Sequence, residues 1–231
     1  LYNSASLPPP ITAYVAIDNV TVNSGTTLLI QPTTVVKLLP NKYLYIYGTL
    51  TARASEGNEI VFTSFKDDEY GGDTNADGNS TSPAPNDWGY LYPIGMGRSG
   101  SVIDYAIIRY GQYGIYDSGS DLTIRNSDIS SSYYDGIYVY NASPSITGNT
   151  IESNRRYGIY LDSSSSILTN NSIKKNNNYG DYLTGASQPT IGSDPPELSN
   201  WNDIFANGTY NLYNNTSNDI IATPVYWGTL E

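Results

Sequence analysis

The chain has 231 residues, a formal net charge of −11 and only 14% charged residues, with a pI near 4.2; its polar surface is therefore built mostly of Asn, Ser, Thr and Tyr. No basic stripe is present to neutralise phosphates, which argues against a nucleic-acid partner, and no apolar run of about 18 residues is present to insert in a membrane. There is no Cys and no His, so neither disulfide staples nor imidazole can enter a structural, catalytic or metal-binding scheme.

Residues 1–13 read as an extended N-terminal arm or linker, because Pro8-Pro9-Pro10 fixes the backbone and removes ladder donors. Such an arm either connects domains or docks on a neighbour. With Leu rather than Met at its start, the chain reads as a mature or excised segment. Residues 14–231 read as a single domain. Over 14–64, short alternating apolar runs step by 22 residues: Val22 falls with Leu44, Leu28 with Leu50 and Ile30 with Ala52.

Residues 66–88 lose that alternation and form an acidic loop. Inside it, Asp73-x-Asn75-x-Asp77-Gly78-Asn79 places oxygen side chains on alternate positions and then a Gly, the first half of a calcium loop. Carboxylates so spaced converge on one point when the backbone curls around it. With Asp68 and Asp87 nearby, the expected site for Ca2+ is Asp68, Asp73, Asn75, Asp77, Asn79 and Asp87. The pattern departs from an EF-hand at its twelfth position, Ala84, and no helices flank it.

From Ser99 the periodicity is strongest. Gly114-Ile115-Tyr116, Gly136-Ile137-Tyr138, Gly158-Ile159-Tyr160 and Gly180-Asp181-Tyr182 recur every 22 residues. Ile107, Ile129, Ile151 and Ile173 form a second row; Val102, Ile124, Ile146 and Leu168 form a third. Alternation with turn residues between means strands. Twenty-two residues are too few for two helices and suit three short strands with three turns, one rung of a parallel β-helix. Stacked rungs bring equivalent residues to about 4.8 Å apart. Ile115, Ile137, Ile159 and Leu212 then point inward, and Tyr116, Tyr138, Tyr160, Tyr182 and Tyr213 form an outward aromatic rail.

A second aromatic row, Tyr113, Tyr157, Tyr179 and Tyr210, is interrupted by Asp135. Asn126 and Asn170, with Gly148 and Asp104 in the same phase, read as left-handed bends between strands. Asp181 stands where its neighbours place Ile, an inward acid that needs a partner or solvent. Tyr182 to Tyr213 is 31 residues, which places a nine-residue insertion at 192–200, around Pro195-Pro196. The coil then resumes and ends at Tyr226-Trp227-Gly228.

The Gly-Ile-Tyr and Asn-x-Ile rows, Val20-Thr-Val-Asn-Ser-Gly-Thr-Thr-Leu-Leu-Ile-Gln-Pro, Gly48-Thr-Leu-Thr-Ala, Ile60-Val-Phe-Thr-Ser and Tyr226-Trp-Gly together resemble the right-handed parallel β-helix (pectin-lyase-like) superfamily, in particular repeat segments of large secreted and surface-layer proteins. The resemblance implies an all-β, right-handed parallel β-helix with rungs of about 22 residues and an extracellular or cell-surface setting. The superfamily includes lyases, hydrolases, adhesins and structural rods, so it does not fix the function.

Three functions are open. A structural or adhesive solenoid, stacked head to tail with copies of itself or set in tandem with adjacent modules of a longer surface protein, would cover the unpaired strand edges at its ends. A polysaccharide lyase or glycoside hydrolase, as the resemblance implies for some members, would draw on Asp117, Asp121, Asp128, Asp135 and Asp162 with Arg109 and Arg125, but no two of these acids share a phase in adjacent rungs. A glycan-binding module would use the tyrosine rail. Sequons stand at Asn19, Asn79, Asn141, Asn170, Asn207, Asn214 and Asn215, so glycosylation is a further expectation.

Overall fold

The computed structural model describes residues 3–7, 13–192 and 200–228. Among these the chain is all-β: 24 strands in two sheets, one of fifteen strands that bends around a corner and one of nine. Each full rung contributes three strand segments, so the coil has three faces. Ile137–Tyr140 lies on the first, Ser145–Thr147 on the second and Thr150–Glu152 on the third. Every strand pairs in parallel with its equivalent one rung away, as Ile137↔Ile159, Ile146↔Leu168 and Ile151↔Ile173 show. The result is a parallel β-helix of about nine turns.

The interior is three apolar columns. On the first face, Leu44, Leu91, Ile115, Ile137 and Ile159 stack and are all buried. Ile103, Ile124, Ile146 and Leu168 line the second, and Phe62, Ile108, Ile129, Ile151 and Ile173 the third. The Gly preceding each Ile is a matter of space. A Cβ on Gly114 would lie 2.5 Å from Ile129 Cγ2, and one on Gly158 would lie 2.6 Å from Ile173 Cγ2. Here the chain turns from the third face to the first, and only hydrogen fits.

Buried amides occupy two of the corners. Asn149 Nδ2 donates to Asn171 Oδ1 (3.0 Å) and Asn171 Nδ2 to Asn202 Oδ1 (3.1 Å), while the same groups donate to Ile124 O and Ile146 O. Asn154, Asn176 and Asn207 repeat this at the next corner. Ser164 and Ser187 serve the remaining one, where Ser187 Oγ accepts from Ser164 N. Each ladder satisfies main-chain donors at a turn that no strand can pair.

Several sequence expectations shift. Ile103 and Ile108, not Val102 and Ile107, stand in the interior columns; Val102 pairs with Thr123 and Ile107 with Asp128. The cause is a register shift where Leu91–Asp104 meets Ile115–Arg125, between Asp121 and Thr123. The same shift puts Tyr105, not Asp104, among the left-handed residues with Asn126, Gly148 and Asn170. Val22 pairs with Ile46 rather than Leu44, because the Asn23–Thr26 turn of one rung is replaced by the tighter Tyr47-Gly48 bend in the next. Leu28↔Leu50 and Ile30↔Ala52 are as expected.

Part of the N-terminal arm is a strand: Ala5–Leu7 pairs with Thr27–Ile30 on the second face. Pro8-Pro9-Pro10 lies outside the described residues. The 31-residue step is present in Ile173↔Ile204 and Tyr182↔Tyr213. It accumulates in two places: Leu168↔Ile191 is already a step of 23, one residue over 22, and the other eight follow Gly192. Most of that insertion, with Pro195-Pro196, lies outside the described residues.

Asp181 faces inward between Ile159 and Leu212, fully buried, and neither carboxyl oxygen has a hydrogen-bond partner. Burial pushes its carboxyl up to about 8. The folded chain therefore binds a proton that the unfolded chain releases near pH 4, and stability falls as pH rises from about 4 to about 8. Asp181→Leu, which restores the apolar column, is expected to raise unfolding stability by ~2–4 kcal/mol at pH 7. It should also flatten that pH dependence. Denaturant unfolding at pH 5 and pH 8 measures both; equal stabilities for the two proteins at pH 8 would refute the account.

Candidate functional site

The outer side of the first face carries the tyrosines. Tyr116, Tyr138, Tyr160, Tyr182 and Tyr213 are in register, as the sequence spacing implied. The row is longer than expected: Tyr45 pairs with Tyr92, whose ring lies 5.1 Å from that of Tyr116. Constant spacing missed these two because the acidic loop separates them by 47 residues, but the Tyr43-Leu-Tyr45 and Tyr90-Leu-Tyr92 repeat marks them. Ring centroids along the row are 5.8, 5.1, 4.5, 4.7, 5.0 and 5.6 Å apart from Tyr45 to Tyr213.

The second aromatic row stacks through Tyr157, Tyr179 and Tyr210. In the Asp135 rung the gap is filled by a cation. Arg156 lies 5.3, 4.9 and 5.4 Å from the Tyr134, Tyr157 and Tyr160 centroids. Its Nε donates to Asp135 Oδ1 (2.7 Å) and its Nη2 to Oδ2, while Tyr157 N also donates to Oδ1. Asp135 is fully buried, so its role is to fix the guanidinium among the rings.

Along the row Tyr116–Tyr138 and Tyr182–Tyr213 stack face to face, whereas Tyr92–Tyr116, Tyr138–Tyr160 and Tyr160–Tyr182 meet edge to face. Burial pushes the Tyr113 phenol up to about 12 and those of Tyr90 and Tyr138 beyond the usual tyrosine range. They remain hydrogen-bond donors at any ordinary pH. Within the two rows the exposed members are those of the last rung, where Tyr210 is 53% and Tyr213 36% exposed.

The acidic loop lies against the outer side of the third face. Arg109 Nε and Nη2 donate to Asp67 (2.9 and 2.8 Å) and Nη2 also to Glu69 (2.7 Å), and Tyr70 stacks on the guanidinium. Trp88 is buried and donates its indole N–H to Arg109 O. Lys37, also buried, reaches out to Gly72 O and Thr74 Oγ1. Burial lowers its ammonium pKa, while Asp67, Asp68 and Asp73 oppose that shift.

Of the six expected calcium ligands, the fold brings Asp68, Asp73 and Asp77 together, with carboxylate oxygens within 4.8 Å of one another. Asp73 accepts from Asp77 N and Gly78 N, so the loop curls around it. Asn75 Nδ2 donates to Asp77 Oδ2 (2.8 Å), leaving Asn75 Oδ1 buried and unpartnered; Asp68 Oδ1 is likewise an orphan. The Thr81 hydroxyl holds the Asp77 carboxyl below its usual range. Three carboxylates and an unpaired amide oxygen fit a hard, oxygen-preferring cation. Asp87 is engaged elsewhere, by Ser64 Oγ, Lys66 Nζ and Ala84 N. Asn79 is exposed in a left-handed conformation.

The acids weighed for catalysis are dispersed. Asp117 points into the coil in line with Val139 and Leu161, bonded to Ser120 and pushed up to about 7 by burial. Asp121 is exposed and Asp162 bonds its neighbour Ser163. Arg109 serves the loop, and Arg125 pairs with Asp104 (2.6 Å). One association escaped the sequence: Asp128 and Glu152 sit diagonally on adjacent rungs, since Asp128 pairs with Thr150 and Ser130 with Glu152. Burial, helped by Glu152, raises the Asp128 carboxyl. Among the sequons, Asn19, Asn79, Asn141, Asn170, Asn214 and Asn215 are exposed, whereas the Asn207 amide is bonded within a corner ladder.

Residues 93–221 match the model of the right handed beta helix region. No curated protein and no solved structure matches the chain. The matched segment is 129 of 231 residues and coincides with the stacked rungs, so the chain belongs to the right-handed beta helix family.

Proposed function

We propose that the chain is a non-catalytic structural or adhesive module that acts outside the cell, assembles end to end with copies of itself and uses calcium to fix its acidic loop. The observation that carries this reading is the state of the last rung. Among the described residues, Tyr210–Asn214, Ala222–Thr223 and Val225–Tyr226 each pair on one side only. Trp201, Tyr210, Tyr213, Ile221, Tyr226 and Trp227 are exposed there, six of the twelve exposed large apolar residues among those described. An unpaired edge with an apolar rim is a template for another chain.

At the other end, Ala5–Leu7 covers the second face, and Tyr14–Ala16 and Val20–Val22 are edge strands on the other two. All pairs in the coil are parallel, and a copy stacked head to tail keeps that direction. A two-fold contact would reverse it. Head-to-tail contacts of this kind do not close, so they propagate. Stacking of the rungs supplies stability without disulfides, and a medium outside the cell would supply the calcium.

A second reading, cleavage of a polysaccharide, is favoured by the Asp128–Glu152 pair alone. Its carboxylates stand on the outer side of the third face, each with one oxygen buried, and Lys174 lies 3.9 Å from Glu152. The distribution of the remaining acids between core and ion pairs favours the non-catalytic reading.

Electron microscopy and sedimentation over a concentration series are expected to show filaments that lengthen with concentration, and Ile221→Lys with Tyr226→Lys should return the chain to monomers. A wild-type chain that is monomeric at every concentration overturns the assembly. Calorimetric titration should show one calcium site per chain in the ~0.1–1 mM range typical of extracellular modules, lost in Asp73→Ala; no calcium-dependent heat in the wild type removes calcium from the proposal. New reducing ends or unsaturated products from acidic or neutral polysaccharides, abolished by Asp128→Asn, would replace the structural reading with the enzymatic one.

A further inference from the structure

We propose that the tyrosine face is an oxidative cross-linking site, where a one-electron oxidant joins phenols of adjacent rungs by carbon–carbon bonds and staples the coil covalently. Three observations converge. First, phenols dominate the oxidisable side chains: 23 Tyr against three Trp, one Met and no Cys. Second, the rings form an unbroken path from Tyr47 through Tyr45, Tyr92, Tyr116, Tyr138, Tyr160 and Tyr182 to Tyr213, with no centroid step above 6.4 Å. Third, the path reaches solvent at both ends, since Tyr47 is 42% and Tyr213 36% exposed. An electron removed at an exposed ring can be replaced from its neighbour, so the radical migrates along the face.

The chemistry balances with a peroxide as oxidant. Each of two phenols loses one electron and its hydroxyl proton; the phenoxyl radicals couple through ring carbons ortho to oxygen. The hydrogens on those carbons then leave as the hydroxyls re-form. Two protons and two electrons are released in all, and one hydrogen peroxide takes them up to give two waters. No cofactor of this chain is required, only an external haem peroxidase or comparable one-electron oxidant.

Ring geometry selects the pairs. Coupling starts from a stacked encounter in which ortho carbons face each other. Tyr116–Tyr138 is stacked (4.5 Å, 28°), as are Tyr157–Tyr182 (4.9 Å, 8°) and Tyr179–Tyr213 (5.1 Å, 10°). Tyr138–Tyr160 (89°) and Tyr160–Tyr182 (82°) meet edge to face, which aims an edge at the centre of a ring and keeps the ortho carbons apart. Tyr90–Tyr116 (5.3 Å, 27°) is stacked as well, so the face is divided into a coupling group of Tyr90, Tyr116 and Tyr138 at its middle and a coupling slab at its C-terminal end. Tyr160 carries the radical between them.

The full chain at low micromolar concentration is treated with haem peroxidase and hydrogen peroxide, and digested peptides are mapped by mass for the loss of two hydrogens. Expected are intrachain links among Tyr90, Tyr116 and Tyr138 and among Tyr157, Tyr179, Tyr182, Tyr210 and Tyr213. Their yield should exceed that of the guanidinium-unfolded chain several-fold, and the melting temperature should rise by roughly 5–10 °C per link. Tyr138→Phe keeps the ring and its packing, so it should fold normally, lose the Tyr116–Tyr138 link and retain the others. Equal yields from folded and unfolded chain, links dominated by the edge-to-face pairs, or links only between chains through exposed rings each overturn the proposal.

Discussion

The whole molecule depends on one repeated contact, the stacking of a residue on its equivalent one rung away. Parallel pairing fixes the vertical distance near 4.8 Å, and every other feature must be compatible with that repeat. Aliphatic side chains meet it by packing column-wise. Glycine meets it at the turn into the first face because any Cβ would strike the isoleucine below. Asparagine meets it at the corners because one amide can donate upward and accept from below at the same spacing, as Asn149, Asn171 and Asn202 do. A chain without Cys and with few charges can be stable on this basis, since each added rung contributes its own intrinsic and nearest-neighbour terms.

The same repeat acts on whatever points outward. Tyrosine at one position of each rung becomes a sheet of phenols in mutual contact, and desolvation by neighbours raises Tyr90, Tyr113 and Tyr138. Where one rung lacks the tyrosine, a cation is inserted: Asp135 is buried and holds Arg156 among three rings. The loop over the third face follows a different rule. It interrupts the repeat and is tied down by individual contacts, Arg109 to Asp67 and Glu69, Trp88 to Arg109 O and Lys37 to Gly72 O. Its carboxylates therefore face inward to specific partners and outward to one another.

The sequence carried the regular part of this architecture almost in full. Gly-Ile-Tyr at constant spacing identified the inward Ile115, Ile137 and Ile159 and the outward Tyr116, Tyr138 and Tyr160, because alternation along a strand leaves no other arrangement. What failed was local. One register shift near Thr123 moved two columns by a residue, exchanging Val102 for Ile103 and Ile107 for Ile108; a change of register is invisible to a pattern that tolerates neighbouring apolar residues. The contacts between phases were also hidden. Asp128 and Glu152 are diagonal, Arg156 reaches back 21 residues to Asp135, and Asp87 lies beside Lys66 rather than the other loop acids. Side-chain length and direction decide these, and spacing encodes neither.

The inward acids are the places where the repeat is violated, and their positions are unequal. Asp117 lies at mid-coil with rungs on both sides and retains a hydrogen bond from Ser120. Asp181 has no partner and lies one rung below the last, where Leu212 is only partly buried and strand Tyr210–Asn214 is paired on one side. In a one-dimensional array a defect next to an end weakens that end most, because the terminal rung has a single neighbour to hold it. The C-terminal rung thus combines the least internal support with the largest exposed apolar rim. A copy stacked on that edge would supply the missing neighbour, bury the rim and move Asp181 away from the end, so assembly and local stability would be thermodynamically linked at the same few residues.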